Sequence, residues 1–246
     1  MSRHGSQRRG LLAASLAGIA LVAILAGCQQ TSAPNVSGGL QLHGTGIIGG
    51  KDAGGGEVFS ASVVALSART SMGNQIYCTG TLISDNTVVT AAHCLHGISG
   101  VSIAFGLSQR GNLQLRPVVR TAVHEQFSAY FPETARDVHD IGVAQFSGGL
   151  PAGYRPVEIL PDDAILQNGA QVLLAGYGVN SSGSQSGVGT LRYTSVPIIE
   201  SNYGTTEIRT DEQSSGSCNG DSGGPGFILS GGKYYVWGTT SRGDEQ

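Results

Sequence analysis

The sequence contains little charge and no long run of charge of one sign. Asp, Glu, Lys and Arg together make up 13% of its 246 residues, and the formal net charge is −3. A basic stripe is what attracts nucleic acid or an anionic membrane surface, so neither is expected as an electrostatic partner. Internal repeats and long stretches of helical periodicity are also lacking, which excludes a helical bundle and a coiled coil.

Glycine, by contrast, is abundant, with 39 residues. It supplies the positive φ angles that tight turns between strands require. Ten short apolar or alternating runs lie between such turn signals, at residues 62–67, 77–83, 87–92, 101–105, 113–123, 141–146, 170–175, 191–199, 226–229 and 234–240. Many short strands with Gly-rich turns predict an all-β barrel or sandwich. Residues 147–161, which hold Pro and Gly without alternation, are expected to connect two β domains.

The amino-terminal segment has the pattern of an export signal. Three arginines precede an apolar stretch over residues 11–27, which is the arrangement of a targeting sequence that is not part of the fold. Residues 25–28, Leu-Ala-Gly-Cys, resemble the lipobox of bacterial lipoproteins, in which the cysteine is lipidated after cleavage. We therefore expect a signal peptide at 1–27, a lipid on Cys28, and a location in the bacterial cell envelope or, after processing, outside the cell.

The apolar stretch also fits two alternatives, an uncleaved transmembrane anchor and an ordinary signal peptide with a cleavage site at Ala33. The pair Arg8-Arg9 resembles a twin-arginine signal, so the export route is open as well. Residues 28–46 are rich in Ser, Thr, Gly and Gln, which is typical of a flexible tether or propeptide without a core of its own.

Three short motifs indicate the chemistry. They are Thr90-Ala91-Ala92-His93-Cys94, Asp140-Ile141-Gly142-Val143-Ala144 and Gly220-Asp221-Ser222-Gly223-Gly224-Pro225. Taken alone, each has an ordinary structural explanation as a core histidine, a capping aspartate or a flexible turn. Together, in this order and spacing, they resemble the trypsin/chymotrypsin family of serine proteases. The order His, Asp, Ser separates that family from subtilisins and α/β-hydrolases.

The resemblance implies a catalytic triad. A serine hydroxyl is a poor nucleophile near neutral pH, and imidazole is a base that titrates in that range. His93 would take the proton of Ser222 as it attacks, and Asp140 would orient the imidazole and stabilise its charged form. The N–H groups of Gly220 and Ser222 would stabilise the oxyanion. The implied activity is that of a serine endopeptidase acting on proteins or peptides.

The resemblance also implies an architecture and an activation step. The fold would be two six-stranded antiparallel barrels packed face to face, over residues 47–150 and 151–246, with the site between them. Ile47-Ile48-Gly49-Gly50 resembles the mature amino terminus of the family. Cleavage before Ile47 would free an α-amino group that pairs with Asp221, so we expect a zymogen, although the preceding residue is Gly46 and not a basic residue.

Cysteines and substrate contacts extend the resemblance. A family disulfide would join Cys78 and Cys94 across a loop of about 15 residues, worth roughly 3 kcal/mol. Five positions match segments that contact substrate in the family: Gly216, Ser217, Ser241, Arg242 and Gly243. Trypsin-like enzymes have an aspartate in place of Gly216, so specificity for a basic side chain is not expected and a small or apolar one is favoured. Arg242 replaces the usual tryptophan, and either narrows the cleft or offers a charge to an acidic substrate.

Two departures concern the rest of the molecule. The chain stops at Gln246, where family members continue into the last strand of the second barrel. We therefore expect that barrel to be incomplete, with an open edge, and Cys218 to lack its family partner. A truncated or frame-shifted reading frame and a shortened family member both explain this. No metal or cofactor is expected, since the region of the family's calcium loop, 105–116, holds no carboxylate.

Two functional alternatives therefore accompany the endopeptidase. One is a catalytically silent relative that binds a partner through the same fold. The second is an esterase or a different serine hydrolase, which the chain order of the triad disfavours. In each case we expect a monomer without a nucleic-acid partner.

Overall fold

The computed structural model describes residues 47–70, 73–108, 111–130, 135–179, 187–213 and 215–242. The predicted signal peptide, Cys28 and Gly243 lie outside these residues. Within them the chain is all-β, with three short 3-10 helices at Val58–Ser62, Ala92–Cys94 and Asp163–Ile165 and no α-helix. No helix in the described part of the chain is long and apolar enough to cross a membrane.

The first half of the chain forms a closed six-stranded barrel. Its strands are β2 (Val63–Thr70), β3 (Gly73–Ser84), β4 (Thr87–Thr90), β5 (Val101–Phe105), β6 (Gln114–Val123) and β7 (Gly142–Phe146). They close in the order β2-β3-β4-β7-β6-β5, and every neighbouring pair is antiparallel. Burial alternates along β7, because alternate side chains of a strand face opposite sides of the sheet. The inward residues build a core that includes Leu66, Leu82, Ile103 and Phe146.

The second half forms a seven-stranded sheet. It consists of β8 (Glu158–Ile159), β9 (Gln171–Gly176), β10 (Arg192–Glu200), β11 (Arg209–Thr210), β12 (Pro225–Ser230), β13 (Lys233–Thr239) and, from the start of the described chain, β1 (Lys51–Asp52). The order is β1-β10-β9-β12-β13-β8, with β11 paired to β10. Within the described residues this path does not close on itself. Its core contains Val172, Leu174, Val196 and Ile198, together with Ile47.

A third apolar cluster joins the two halves. Val63 and Ala65 of β2 pack there against Tyr177, which follows β9, and against Phe227 of β12. The hydroxyl of Tyr177 is buried and lies 3.2 Å from the carbonyl oxygen of Val63 and 2.9 Å from that of Gly106. The all-β prediction is confirmed. The arrangement of a closed barrel and a second sheet agrees with the two-barrel fold that the resemblance implied.

Candidate active site

The position of His93 is fixed by a short helix and a disulfide. The chain leaves β4 at Thr90 and turns into the 3-10 helix Ala92–Cys94, which carries His93 at the edge of the barrel. Cys94 is bonded to Cys78 of β3, with the two Cα atoms 6.2 Å apart. The hydroxyl of Tyr77 donates a 2.9 Å hydrogen bond to the Cys94 carbonyl. The implied disulfide is therefore confirmed, and it ties the histidine to the longest strand of the barrel.

Asp140 lies two residues before β7 and receives three hydrogen bonds. His93 donates from its backbone N–H to Oδ1 at 2.9 Å, and its ring Nδ1 lies 2.7 Å from Oδ2. Ser241 donates from Oγ to the same Oδ2 at 2.7 Å. The Asp140 residue is only 8% exposed. Burial alone would raise the pKa of this carboxyl, but the hydrogen bonds and the nearby imidazole hold it below the usual value.

This geometry determines which ring nitrogen is available as a base. An ionised carboxylate only accepts hydrogen bonds, so Nδ1 of His93 carries the hydrogen that points to Asp140. In the neutral ring, Nε2 then keeps its lone pair. The His93 side chain is 35% exposed, so this lone pair is accessible to a substrate or to a neighbouring hydroxyl.

Ser222 reaches the first barrel through a tightly packed turn. Its carbonyl oxygen accepts a 2.9 Å hydrogen bond from the N–H of Thr79 in β3, and it lies 3.6 Å from the sulfur of Cys94. Gly223 has φ +79°, and a Cβ there would lie 1.9 Å from Oγ1 of Thr90. Only glycine allows this approach, so the turn rests directly on the strands beside His93. Within the described residues no direct hydrogen bond joins Ser222 Oγ to the His93 ring.

The backbone around Gly220 leaves two donors uncommitted. Gly220 has φ +96°, and its carbonyl oxygen accepts from Oγ1 of Thr79 at 2.8 Å. In the described part of the chain, neither the N–H of Gly220 nor that of Ser222 donates to another protein group. These two N–H groups therefore remain available to a ligand oxygen.

Asp221 is buried beneath the Ser222 turn. Its two carboxylate oxygens accept from the N–H groups of Gly178 and Cys218, at 2.8 and 2.9 Å. Burial raises the pKa of Asp221 to about 7. Ile47 is also buried, and the next residue, Ile48, accepts a hydrogen bond from the N–H of Gly216. No hydrogen bond or ion pair among the described residues joins Ile47 directly to Asp221.

Two acidic residues near the expected substrate segments were missed by sequence reasoning. Glu212 accepts from the N–H and Oγ of Ser217 and from Oγ1 of Thr210, and a Cβ at Gly216 would lie 2.4 Å from its Cβ. Glu207 binds the guanidinium of Arg242 through both of its oxygens. The Arg242 charge is thus already paired. Neither glutamate stands in a recognisable motif, and only folding brings them to the site.

One group of residues in the described part of the chain has a spacing that could suit a metal ion: Cys78, His93 and Cys94. Both sulfurs belong to the disulfide. They offer no thiolate, so this group does not fit a metal ion.

Comparisons with known proteins agree with this geometry. The family model described as Trypsin matches residues 47–246. The chain is 30% identical to trypsin beta of Drosophila erecta over 167 residues, 63% of this chain and 64% of that protein. It is 30% identical to human chymotrypsin-like elastase family member 1 over 213 residues, 79% of this chain and 80% of the relative. The match to the Drosophila protein thus spans slightly less than two thirds of its length.

Proposed function

Because this chain belongs to the trypsin family, we propose that it is a serine endopeptidase that hydrolyses peptide bonds through an acyl-enzyme at Ser222. The observation that carries the proposal is the 2.7 Å contact between Nδ1 of His93 and the buried carboxylate of Asp140. It leaves Nε2 with a free lone pair that can act as a base, on a side chain that is partly exposed.

The chemistry follows from the donors and acceptors of the site. Ser222 Oγ bonds to the substrate carbonyl carbon while its proton passes to Nε2 of His93. Asp140 stabilises the imidazolium that forms. The carbonyl oxygen becomes an oxyanion, which the N–H groups of Gly220 and Ser222 stabilise, each such donor being worth about 2.7–4 kcal/mol. The imidazolium returns its proton to the leaving amine, and water then releases the acyl group by the same steps.

We also propose that cleavage before Ile47 activates the enzyme. Asp221 is buried, and an unpaired carboxylate is costly to ionise there. A new α-ammonium group at Ile47 would supply the missing counter-charge and order the turn between Asp221 and Ser222. Two observations support this proposal. Ile47 is buried in the core of the second half. Ile48 is hydrogen-bonded to Gly216, and Gly216 is close to Asp221 in the sequence.

Location and substrate complete the proposal. If Cys28 carries a lipid, cleavage after Gly46 would release the enzyme from the membrane, since both disulfide cysteines lie beyond the cut. The protein would be exported and would act as a monomer on proteins or peptides. The preference for small or apolar side chains over basic ones stays a prediction from Gly216, because the Glu212 carboxylate beside it keeps its negative charge while it accepts from Ser217 and Thr210.

A fluorophosphonate probe tests the activity and the activation step together. The probe transfers its phosphorus to an activated serine with loss of fluoride, and peptide mass spectrometry locates the adduct. The full chain would carry a specific protease site immediately before Ile47, and Ser222→Ala would serve as the control. We expect an adduct at Ser222 that appears only after cleavage. Hydrolysis of a peptide library, compared with simple esters, then separates an endopeptidase from an esterase.

Three results would each contradict a different part of the proposal. Labelling before and after cleavage would retain the hydrolase but overturn the activation step. Active enzyme that stays in the membrane fraction after cleavage and a salt wash would overturn the release. No labelling in either form would overturn the proposed activity in favour of a binding protein that uses the same fold.

A further inference from the structure

The loop that carries Asp140 is bound to an ion pair of the second half of the molecule, formed by Glu207 and Arg242. Oε1 of Glu207 accepts from the N–H of Val138 at 3.0 Å and from the guanidinium of Arg242 at 3.1 Å. Oε2 of Glu207 accepts from the same guanidinium at 2.8 Å. The side chains of Arg242 and Glu207 are only 19% and 15% exposed. This is a two-pronged, largely buried pair, the geometry in which arginine binds a carboxylate most specifically.

The loop needs such support because its backbone is strained. Asp137 and His139 have φ angles of 54° and 53°, which non-glycine residues adopt at an energetic cost. Oδ1 of Asp137 accepts from both the N–H and the hydroxyl of Thr206, at 2.8 and 3.0 Å. Arg242 donates in addition to the carbonyl oxygen of Ala135. The strained residues are therefore held on both sides by Thr206 and by the ion pair.

The same arginine donates to the hydroxyl that binds Asp140. Arg242 has donors only, and its guanidinium lies 3.4 Å from Oγ of Ser241. Ser241 Oγ accepts from Arg242 and donates its own hydrogen to Oδ2 of Asp140, at 2.7 Å. A directed chain of donors thus runs from Arg242 through Ser241 to the carboxylate that also binds His93.

We infer that Arg242 and Glu207 are positioning residues for Asp140, through which the second half of the molecule sets the orientation of the His93 base. This inference rests on the proposed function. Among the described residues, Asp140 is hydrogen-bonded to His93 on one side and is linked through Ser241 to the Arg242–Glu207 pair on the other. Each member of the pair should therefore influence how readily His93 becomes charged, with opposite sign.

The test uses the form of the full chain that the fluorophosphonate probe labels. Three variants are compared: Arg242→Gln, which removes the charge; Arg242→Lys, which keeps it without the fork; and Glu207→Gln. We expect each to label Ser222 about 10- to 100-fold more slowly than the wild type, because small misplacements of a catalytic group cost about that much. Lys233→Gln, which breaks the exposed pair between Lys233 and Glu158, should leave the rate unchanged.

The pH dependence of labelling separates positioning from a general loss of structure. Loss of the Arg242 charge favours the imidazolium, so the acid limb of the Arg242→Gln profile should move to higher pH by a few tenths of a unit. Glu207→Gln should move it to lower pH, and Arg242→Lys should leave it in place. Cooperative thermal unfolding of each variant confirms that it is folded.

Each failure has a distinct meaning. Folded variants that label at the wild-type rate, or whose acid limbs all coincide with that of the wild type, would overturn the positioning role and leave the proposed hydrolase intact. A wild type that never labels would instead remove the proposed function itself.

Discussion

Asp221 shows how strongly the site depends on the surroundings of single side chains. Burial raises its pKa to about 7, the hydrogen bonds from Cys218 and Gly178 and the positive charge of Arg192 act in the opposite direction, and the charge of Glu212 adds to the effect of burial. The acid next to the expected nucleophile is therefore poorly stabilised as a carboxylate before cleavage at Ile47. A positive group that arrived there would find a strong electrostatic partner.

The uncleaved chain should therefore lose stability as the pH rises. Because the folded-state pKa of Asp221 lies above the unfolded value, the folded state binds more protons between about pH 4 and pH 7. The stability contribution of protonated Asp221 is complete below about pH 4 and is lost as the pH rises through about 7. From pH 5 to pH 8, the free energy of unfolding in urea should fall roughly 2–3 kcal/mol more in the wild type than in Asp221→Asn.

A control uses another aspartate. Asp162 is an exposed capping residue that accepts from the N–H of Ala164, so Asp162→Asn should keep the wild-type slope with pH. Parallel profiles for the wild type and Asp221→Asn would contradict the prediction. After cleavage before Ile47, the difference between the wild type and Asp221→Asn in how the unfolding free energy falls with pH should shrink or change sign.

At the scale of elements, the strand β3 and the 3-10 helix Ala92–Cys94 form one unit. The disulfide between Cys78 and Cys94 closes the chain between them. A closed loop of this size stabilises a protein by restricting its unfolded state, by about 3 kcal/mol. The bond also restricts the segment that carries His93, so it connects stability with the placement of the base.

The double variant Cys78→Ala/Cys94→Ala should lose about 3 kcal/mol of unfolding free energy and label more slowly at Ser222. Urea unfolding and the labelling rate measure the two effects. Cys218→Ala is the matched control, because it deletes a buried sulfur outside this disulfide and should cost only about 1 kcal/mol. Equal losses in the two variants would show that the cross-link contributes nothing beyond its packing.

The longer elements could be predicted from sequence, and the shortest could not. All ten runs of apolar or alternating residues are strands, with boundaries that differ by a few residues. The strand β3 is longer than its predicted run because its polar first residues carry no apolar alternation. The pairs Lys51–Asp52, Glu158–Ile159 and Arg209–Thr210 were not predicted, since two residues are too few to show a period.

At the scale of the whole molecule, Thr79 joins the two halves beneath the Ser222 turn. Its hydroxyl donates to the carbonyl oxygen of Gly220 at 2.8 Å and accepts from the N–H of Tyr177 at 3.0 Å. Thr79 is fully buried, so the Gly220 carbonyl and the Tyr177 N–H both depend on its hydroxyl for their hydrogen bonds. The alignment of the halves and the position of Gly220 are therefore coupled through one side chain.

Thr79→Val should destabilise the protein by about 1–3 kcal/mol, because it leaves the buried Tyr177 N–H without an acceptor. Labelling of Ser222 should also slow, since Gly220 loses its support. Thr81→Val is the matched control: Thr81 is equally buried in the same strand, but its hydroxyl has no hydrogen-bond partner in the described structure. That change should be neutral or slightly stabilising in urea unfolding. Similar losses in both variants would refute the role of Thr79.

The contact between His93 and Asp140 could be predicted because both residues stand in dense local motifs, and the triad with Ser222 stays a prediction. The residues that support it could not. Glu207 contacts Arg242 and Val138 only after folding, across 35 and 69 positions of the chain. Arg242 was predicted to contact substrate, whereas in the structure its charge is paired with Glu207. The sequence has no acid at Gly216 itself, but Glu212 lies beside it because the chain turns back through Ser217.

The division of the proposed triad between the two halves has a consequence for biosynthesis. His93 and Asp140 belong to the first barrel, and Ser222 follows the strands of the second half that pack against it. A chain made from its amino terminus folds its first half first, and at that point it holds a base without a nucleophile. A chain whose synthesis has not yet passed Ser222 therefore lacks the third member of the proposed triad, so the order of synthesis itself delays the appearance of a reactive serine until the second half is being made.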